Sequence, residues 1–181
     1  MNKLQDRQWA PFKISDLFEI KTGANISKKL LDYNGKIPRI TASATNNGID
    51  SFTKETSVRN FRTNGNAVSI SFLGTCFYQP TKASYDMKIH SIKIKERKLN
   101  KYIGLFIAFV CNREFQKFSY GNQLSSTDLP NQQILLPITD EGKPDWQFME
   151  DYMREKEQII LKPTIEKLCK RLIISDISGG G

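Results

Sequence analysis

Two stretches of helical periodicity, set against a series of short extended segments, limit what this chain can fold into. Over residues 99–118, Ile103, Phe106, Ile107, Val110 and Phe115 recur every three to four positions, the spacing of one apolar helix face. A second helix is expected from Pro144-Asp145-Trp146 to about Leu161, with Asp145 as its cap and Met149, Tyr152, Met153, Ile159 and Ile160 as its stripe. Pro163 lacks a backbone donor, so a kink or restart should follow, with Ile165, Leu168, Cys169 and Leu172 continuing the apolar face.

Elsewhere the apolar segments are short and end in Gly, Asn or Pro. Strands are expected at residues 9–14, 19–21, 37–41, 67–72, 89–95 and 133–137. Ser15 is placed to cap a short helical turn at 16–18, residues 27–31 suit one helical turn, 61–66 form a turn, and 73–80 turn back on the strand at 67–72. Residues 67–72 alternate as a half-buried strand does, and the slipped spacing of Ile89, Ile92 and Ile94 points to a bulge. The fold class that follows is α/β (α+β): a mixed, largely antiparallel twisted sheet with peripheral helices, followed by a long C-terminal helix. Residues 1–140 form the globular part, which ends near the last strand, 141–175 the helix, and 176–181, ending in Gly179-Gly180-Gly181, a disordered tail.

At 181 residues and 39% hydrophobic content the chain can bury one substantial core but not two full domains. Its 27 Lys and Arg against 19 acidic residues give +8, a balance suited to phosphate backbones or anionic membrane surfaces. The longest apolar run, Tyr102 to Cys111, is too short to cross a bilayer, and the N-terminus lacks the apolar core of a signal peptide, so a cytoplasmic location is expected. Cys76, Cys111 and Cys169 are odd in number and form no Cys-x-x-Cys pair, which reads as reduced packing residues.

Catalytic patterns are sparse. His90 is the only histidine and lies in a strand pattern, where a hydrogen-bonded structural role fits better than a catalytic relay or a metal site. No Gly-x-x-x-x-Gly-Lys-Ser/Thr or Gly-x-Gly-x-x-Gly turn is present to cradle a nucleotide, and the Asn/Asp-Pro-Pro-aromatic signature of adenine methylation is missing. One enzymatic alternative is a metal-dependent DNA endonuclease: Asp86 precedes the strand at 89–95, and Glu96-Arg97-Lys98 has the Glu-x-Lys spacing that places a lysine beside a magnesium ion. The same tripeptide also suits a solvated turn.

Three polar tracts offer different chemistry. The first holds Thr41, Ser43, Thr45, Asn46 and Asn47, flanked by Lys28, Lys29 and Arg39; the second holds Tyr78, Gln79, Lys82 and Tyr85; the third holds Tyr120, Asn122, Gln123, Ser125 and Ser126. Cations position a duplex by its phosphates and amides discriminate base edges, so convergence of these tracts on one face would make a DNA sequence reader. Asn46-Asn47-Gly48 is equally ordinary turn chemistry, because Asn and Gly tolerate positive φ.

Taken in order, several segments resemble the target recognition domain of type I restriction-modification specificity subunits and related type II specificity chains. They are Trp9-x-x-Phe12-x-Ile14-x-Asp16-Leu17-Phe18-x-Ile20-x-x-Gly23, Ile37-Pro38 through Asn46-Asn47-Gly48, Tyr120-Gly121-Asn122-Gln123, Leu135-Leu136-Pro137, and the helix start at Pro144-Asp145-Trp146-Gln147-Phe148-Met149-Glu150. The resemblance implies a non-catalytic chain that reads one half-site of double-stranded DNA. It also implies a helix that packs against a counterpart, with no cofactor in the chain itself. S-adenosylmethionine would be carried by a partner methyltransferase subunit, with a restriction subunit as a further partner. Typical members hold two recognition domains and two spacer helices, whereas one of each is visible here. That fits either a half-length subunit, which would pair as a homodimer, or a piece of a longer one.

Overall fold

A computed structural model describes residues 3–178, with side chains described through Lys170; Gly179–Gly181 and the side chain of Leu172 lie outside the described residues. The chain begins with β1 (Trp9–Lys13), whose partner is the last strand, β10 (Gln133–Pro137), in antiparallel register from Trp9↔Pro137 to Lys13↔Gln133. This pairing brings the two ends of the globular part together. The helix α1 (Ile14–Leu17) and strand β2 (Phe18–Thr22) follow directly. Ser15 is inside α1 rather than capping it, and the cap position falls to Lys13 with no side-chain bond. Ile14 is fully buried, so packing holds this short turn in place.

Two four-stranded sheets make up the rest, where the sequence suggested one. The first has the order β2-β9-β6-β7, all antiparallel, built with β6 (Ala67–Ser71), β7 (Cys76–Gln79) and β9 (Ile89–Ile94). The second has the order β4-β3-β8-β5, from β3 (Ile37–Ile40), β4 (Ile49–Thr53), β5 (Thr63–Asn64) and β8 (Ala83–Tyr85), with β3 and β8 parallel. β5 and β8 are short, and β4 carries only Ile49 and Phe52 as apolar residues; β5 lies inside the segment expected to be a plain turn.

The first sheet is covered on both faces, which corrects two expectations. Ile92, Ile94, Val68 and Ile70 share the main core with α2 (Lys101–Glu114), whereas Ile89 joins a smaller cluster with Ile40, Ala83 and Tyr85 from the second sheet. The slipped spacing of the isoleucines therefore reflects two apolar faces, and β9 pairs with both neighbours without a bulge. Likewise β6 is buried along its whole length. Asn64 Nδ2 of β5 donates to Ser91 of β9 at 3.0 Å, so the polar face meets the second sheet rather than water, and Ser69 accepts from Gln79 Nε2 of the neighbouring β7 at 3.2 Å. His90 is buried, but its Nδ1 has no hydrogen-bond partner among the described residues, where a hydrogen-bonded role was expected.

Asn100 caps α2 by accepting from the Ile103 amide at 2.9 Å. The long helix α3 (Trp146–Ser178) starts where Asp145 accepts from the Phe148 amide at 2.9 Å. Its first turns pack into the main core. Phe148 and Met149 are buried, and Tyr152 and Met153 pack on the core; Met149 is thus no part of an exposed stripe. Polar contacts seal the α2–α3 seam, with Asn100 donating to Glu150 at 2.6 Å, Tyr102 donating to Glu157 at 2.8 Å, and Lys101 paired with Glu157.

From Ile159 to Lys170 every residue of α3 is exposed, including Ile159, Ile160, Leu161, Ile165 and Leu168. The helix continues through Pro163 and on to Ser178, where a tail was expected from residue 176. Because the surrounding turn is bare, a carbonyl that loses its amide partner to the proline ring stays in water. Cys76 and Cys111 are buried, but Cys169 is exposed on this helix and does not pack a core. Among the described residues no helix is long and apolar enough to cross a membrane.

Candidate nucleic-acid interface

The turn after β3 is a left-handed corner: Asn46, Asn47 and Gly48 have φ of 50°, 55° and 75°. These residue types stand there because an L side chain without local hydrogen bonding is strained at such angles. Asn46 Nδ2 donates to the Ile49 carbonyl, while Asn47 Nδ2 donates to the Tyr78 carbonyl and to Gln79 Oε1. Gln79 Nε2 returns a bond to the Asn47 carbonyl at 2.9 Å. The first and second tracts are therefore joined, and the joint spends the Asn47 amide on its own fold.

Several residues expected to face DNA do structural work instead. Arg39 is 5% exposed. Its Nη1 donates to Ser84 Oγ and the Tyr85 carbonyl, and its Nη2 to the Ala24 carbonyl and Asp86 Oδ1. It ties three segments together and is not free for phosphate. Tyr85 is buried in the smaller core, where desolvation pushes its phenol well above its ordinary pKa. Gln79 is buried, Tyr78 is half-buried with its hydroxyl on Asn66, and Lys82 is exposed but paired with Glu55.

What connects the tracts is the turn Asp86-Met87-Lys88, of which the sequence singled out Asp86 alone, and for a different role. The Asp86 amide donates to the Ile40 carbonyl, beside Thr41, whose own amide bonds Gly48 across the first turn. On its other side, Phe72 donates to the Lys88 carbonyl, and Lys88 Nζ lies 4.3 Å from the Phe72 ring centre. Phe72 in turn holds the third tract: its carbonyl accepts from Leu124, and Tyr120 meets its ring edge-on at 6.0 Å. The segment carrying Lys28 and Lys29, both exposed, is anchored to the same place by Gly23 bonding Ile89 and Ala24 bonding Tyr85.

These contacts link the segments that carry Lys28, Lys29, Thr41, Ser43, Thr45, Asn46, Lys88 and the 120–126 loop into one rim of connected segments. Tyr120 is its most prominent side chain, 79% exposed. In that loop the Asn122 and Gln123 amides donate to the Lys117 and Tyr120 carbonyls, and both residues are exposed. Ser125 is bonded to Thr127 and Asp128, whereas Ser126 is exposed. A polar cleft of about 480 Å³, lined by Lys28, Arg39, Thr41, Asp50 and Asp86 among others, opens into the rim. A surface signal for Lys88 existed in the sequence, a lone lysine in a turn, but nothing local distinguished it from the other lysines.

The nuclease alternative does not survive this geometry. Asp86 precedes β9 and Glu96 follows it, at opposite ends of a six-residue strand that spans about 17 Å. Asp86 is engaged by Arg39, while Glu96 and Lys98 are exposed on the turn beyond the strand.

Comparisons place this arrangement among known proteins. The chain is 34% identical over 170 residues to the specificity subunit S.BcgI of a type II restriction enzyme from Heyndrickxia coagulans, covering 92% of this chain and 49% of that subunit. Its fold is similar to the crystal structure of the S subunit of a type I restriction-modification system from M. genitalium, with a TM-score of 0.63 at 15% identity, covering 95% of this chain and 44% of that one. The HsdS subunit from Thermoanaerobacter tengcongensis is also similar, with a TM-score of 0.55 at 13% identity, over 85% and 38% of the two chains. The chain spans about half the length of these relatives or less. Residues 6–167 match the type I restriction modification DNA specificity domain, and the chain belongs to that family.

Proposed function

We propose that this chain is a non-catalytic, sequence-reading component of a restriction-modification system, which binds one half-site of double-stranded DNA and leaves bond-making to partner subunits. The observation that carries this reading is the rim itself. Three separated polar tracts and three exposed lysines are tied to one turn, Asp86–Lys88, on a chain of net charge +8. Lys28, Lys29 and Lys88 would position phosphates. Thr41, Ser43, Asn46, Asn122, Gln123 and Ser126 would meet base edges, with Tyr120 as an aromatic contact.

Residues up to about 140 act as the recognition part in this reading, and the helix from about 141 to 175 as the spacer. Exposed Ile159, Ile160, Leu161, Ile165 and Leu168 would pair with a counterpart helix, from a second copy or a second repeat, so that two half-sites are read together. The methyl donor S-adenosylmethionine would sit in the partner methyltransferase, a restriction subunit would join the same assembly, and all would work in the cytoplasm. Selection of bound duplexes from a random pool tests the reading. A defined short consensus, lost in an Asn46→Ala and Gln123→Ala double variant, is the expected result; recovery of random sequence by the unaltered chain overturns it.

A further inference from the structure

We infer that Asp86 is a base-reading acceptor of this face, and that at one position of the half-site it selects, on the strand it faces, a base presenting an exocyclic amine, cytosine N4 or adenine N6. This rests on the reading that the rim binds duplex DNA.

The buried Arg39 holds Asp86 end-on. Four hydrogen bonds leave the Arg39 guanidinium, and one reaches Asp86, through Nη2 to Oδ1 at 2.7 Å. Arg–carboxylate pairs frequently use the guanidinium fork on both carboxylate oxygens. Here Nη1 is taken by Ser84 and Tyr85, so Oδ2 stands outside the pair and the Asp86 side chain keeps 39% of its surface exposed, in the cleft with Lys28, Thr41 and Asp50. An ionised carboxylate only accepts hydrogen bonds, and it has lone pairs to spare after one contact.

Its placement is fixed at the backbone as well. The Asp86 amide bonds the Ile40 carbonyl at 3.0 Å, and its carbonyl accepts from Ile89 at 3.0 Å. Gly23 lies so close that an added Cβ would sit 2.0 Å from the Asp86 carbonyl oxygen. Such rigidity is what discrimination between base edges requires. A carboxylate on a surface meant for phosphates weakens binding everywhere except where a donor meets it. In the major groove the donors are the amines of cytosine and adenine, whereas guanine O6 and thymine O4 would face it as acceptors.

The test is duplex selection with the full chain, comparing the unaltered protein with Asp86→Ala and Asp86→Asn. Asp86→Ala should lose about tenfold discrimination or more at one base pair, keep the rest of the consensus, and bind random duplex as well or better because a negative charge is gone. Asp86→Asn, which preserves shape and an acceptor for Arg39, should move that position towards adenine; it carries the test if the alanine variant fails to fold. An unaltered chain with a clear consensus that both variants share at every position overturns the inference while leaving the DNA reading intact. An unaltered chain with no consensus overturns the DNA reading, and this inference with it.

Discussion

Asn47 illustrates how a residue can look like a reader and act as a fastener. At φ 55° it occupies the left-handed region, and its amide closes a reciprocal pair with Gln79. Asn47→Gly keeps the backbone and loses the bonds; Asn47→Ala loses both. Thermal unfolding should therefore rank Asn47→Gly above Asn47→Ala, with the alanine variant about 1–2 kcal/mol less stable than the unaltered chain. His90 supplies a second residue-scale prediction, since burial pushes its imidazole below the ordinary pKa. The unfolded chain takes up this proton near pH 6.5, about the ordinary value, while the folded chain does so only at lower pH. Stability is thus full above that pH and declines as pH falls towards the lowered folded value. Urea midpoints should drop as pH falls below the ordinary imidazole value, and His90→Phe should flatten the drop, because the chain has no other histidine.

Elements show where packing overrules local preference. Gly23 ends β2 against the β8–β9 turn, and a methyl group there would also meet the Tyr85 carbonyl at 2.6 Å. Gly23→Ala should cost about 1–3 kcal/mol in unfolding experiments and displace the Asp86 turn. The long helix behaves as two halves. The first is held by its own core and by Glu150, Arg154 and Glu157, while the second, from Ile159, has no cover among the described residues. Leu161, Ile165 and Leu168 follow the four-then-three spacing of a helix seam. Leu161→Glu with Ile165→Glu should convert a dimer to a monomer in sedimentation without lowering the melting temperature of the recognition part. A dimer that persists would remove this helix from the interface.

The whole molecule determines which charges stay exposed. If Lys28, Lys29 and Lys88 each neutralise one phosphate, replacing one by alanine should reduce the slope of log affinity against log salt by about 0.9. Arg39→Ala should leave that slope in place and instead destabilise the fold, since it removes four bonds from a buried group. Fluorescence titrations over a salt series, paired with melts, separate the two behaviours.

Periodicity marked α2 and the start of α3, and apolar runs marked β1, β3, β6, β9 and β10, because each of these carries its own burial pattern in consecutive residues. The turn chemistry of Asn46-Asn47-Gly48 and the exposed lysines were legible for the same local reason. The short strands β4, β5 and β8 were not, since a few polar residues become a strand only when a neighbour completes their hydrogen bonds. Nor could sequence tell Arg39 from Lys88. One cation is buried by carbonyls of Ala24 and Tyr85 and the other is left at the rim, and that difference is made by segments far apart in the chain. The sequence determined which groups could touch nucleic acid; only tertiary structure decided which of them are free to, because burial and hydrogen-bond saturation are set by whichever distant backbone arrives beside each side chain.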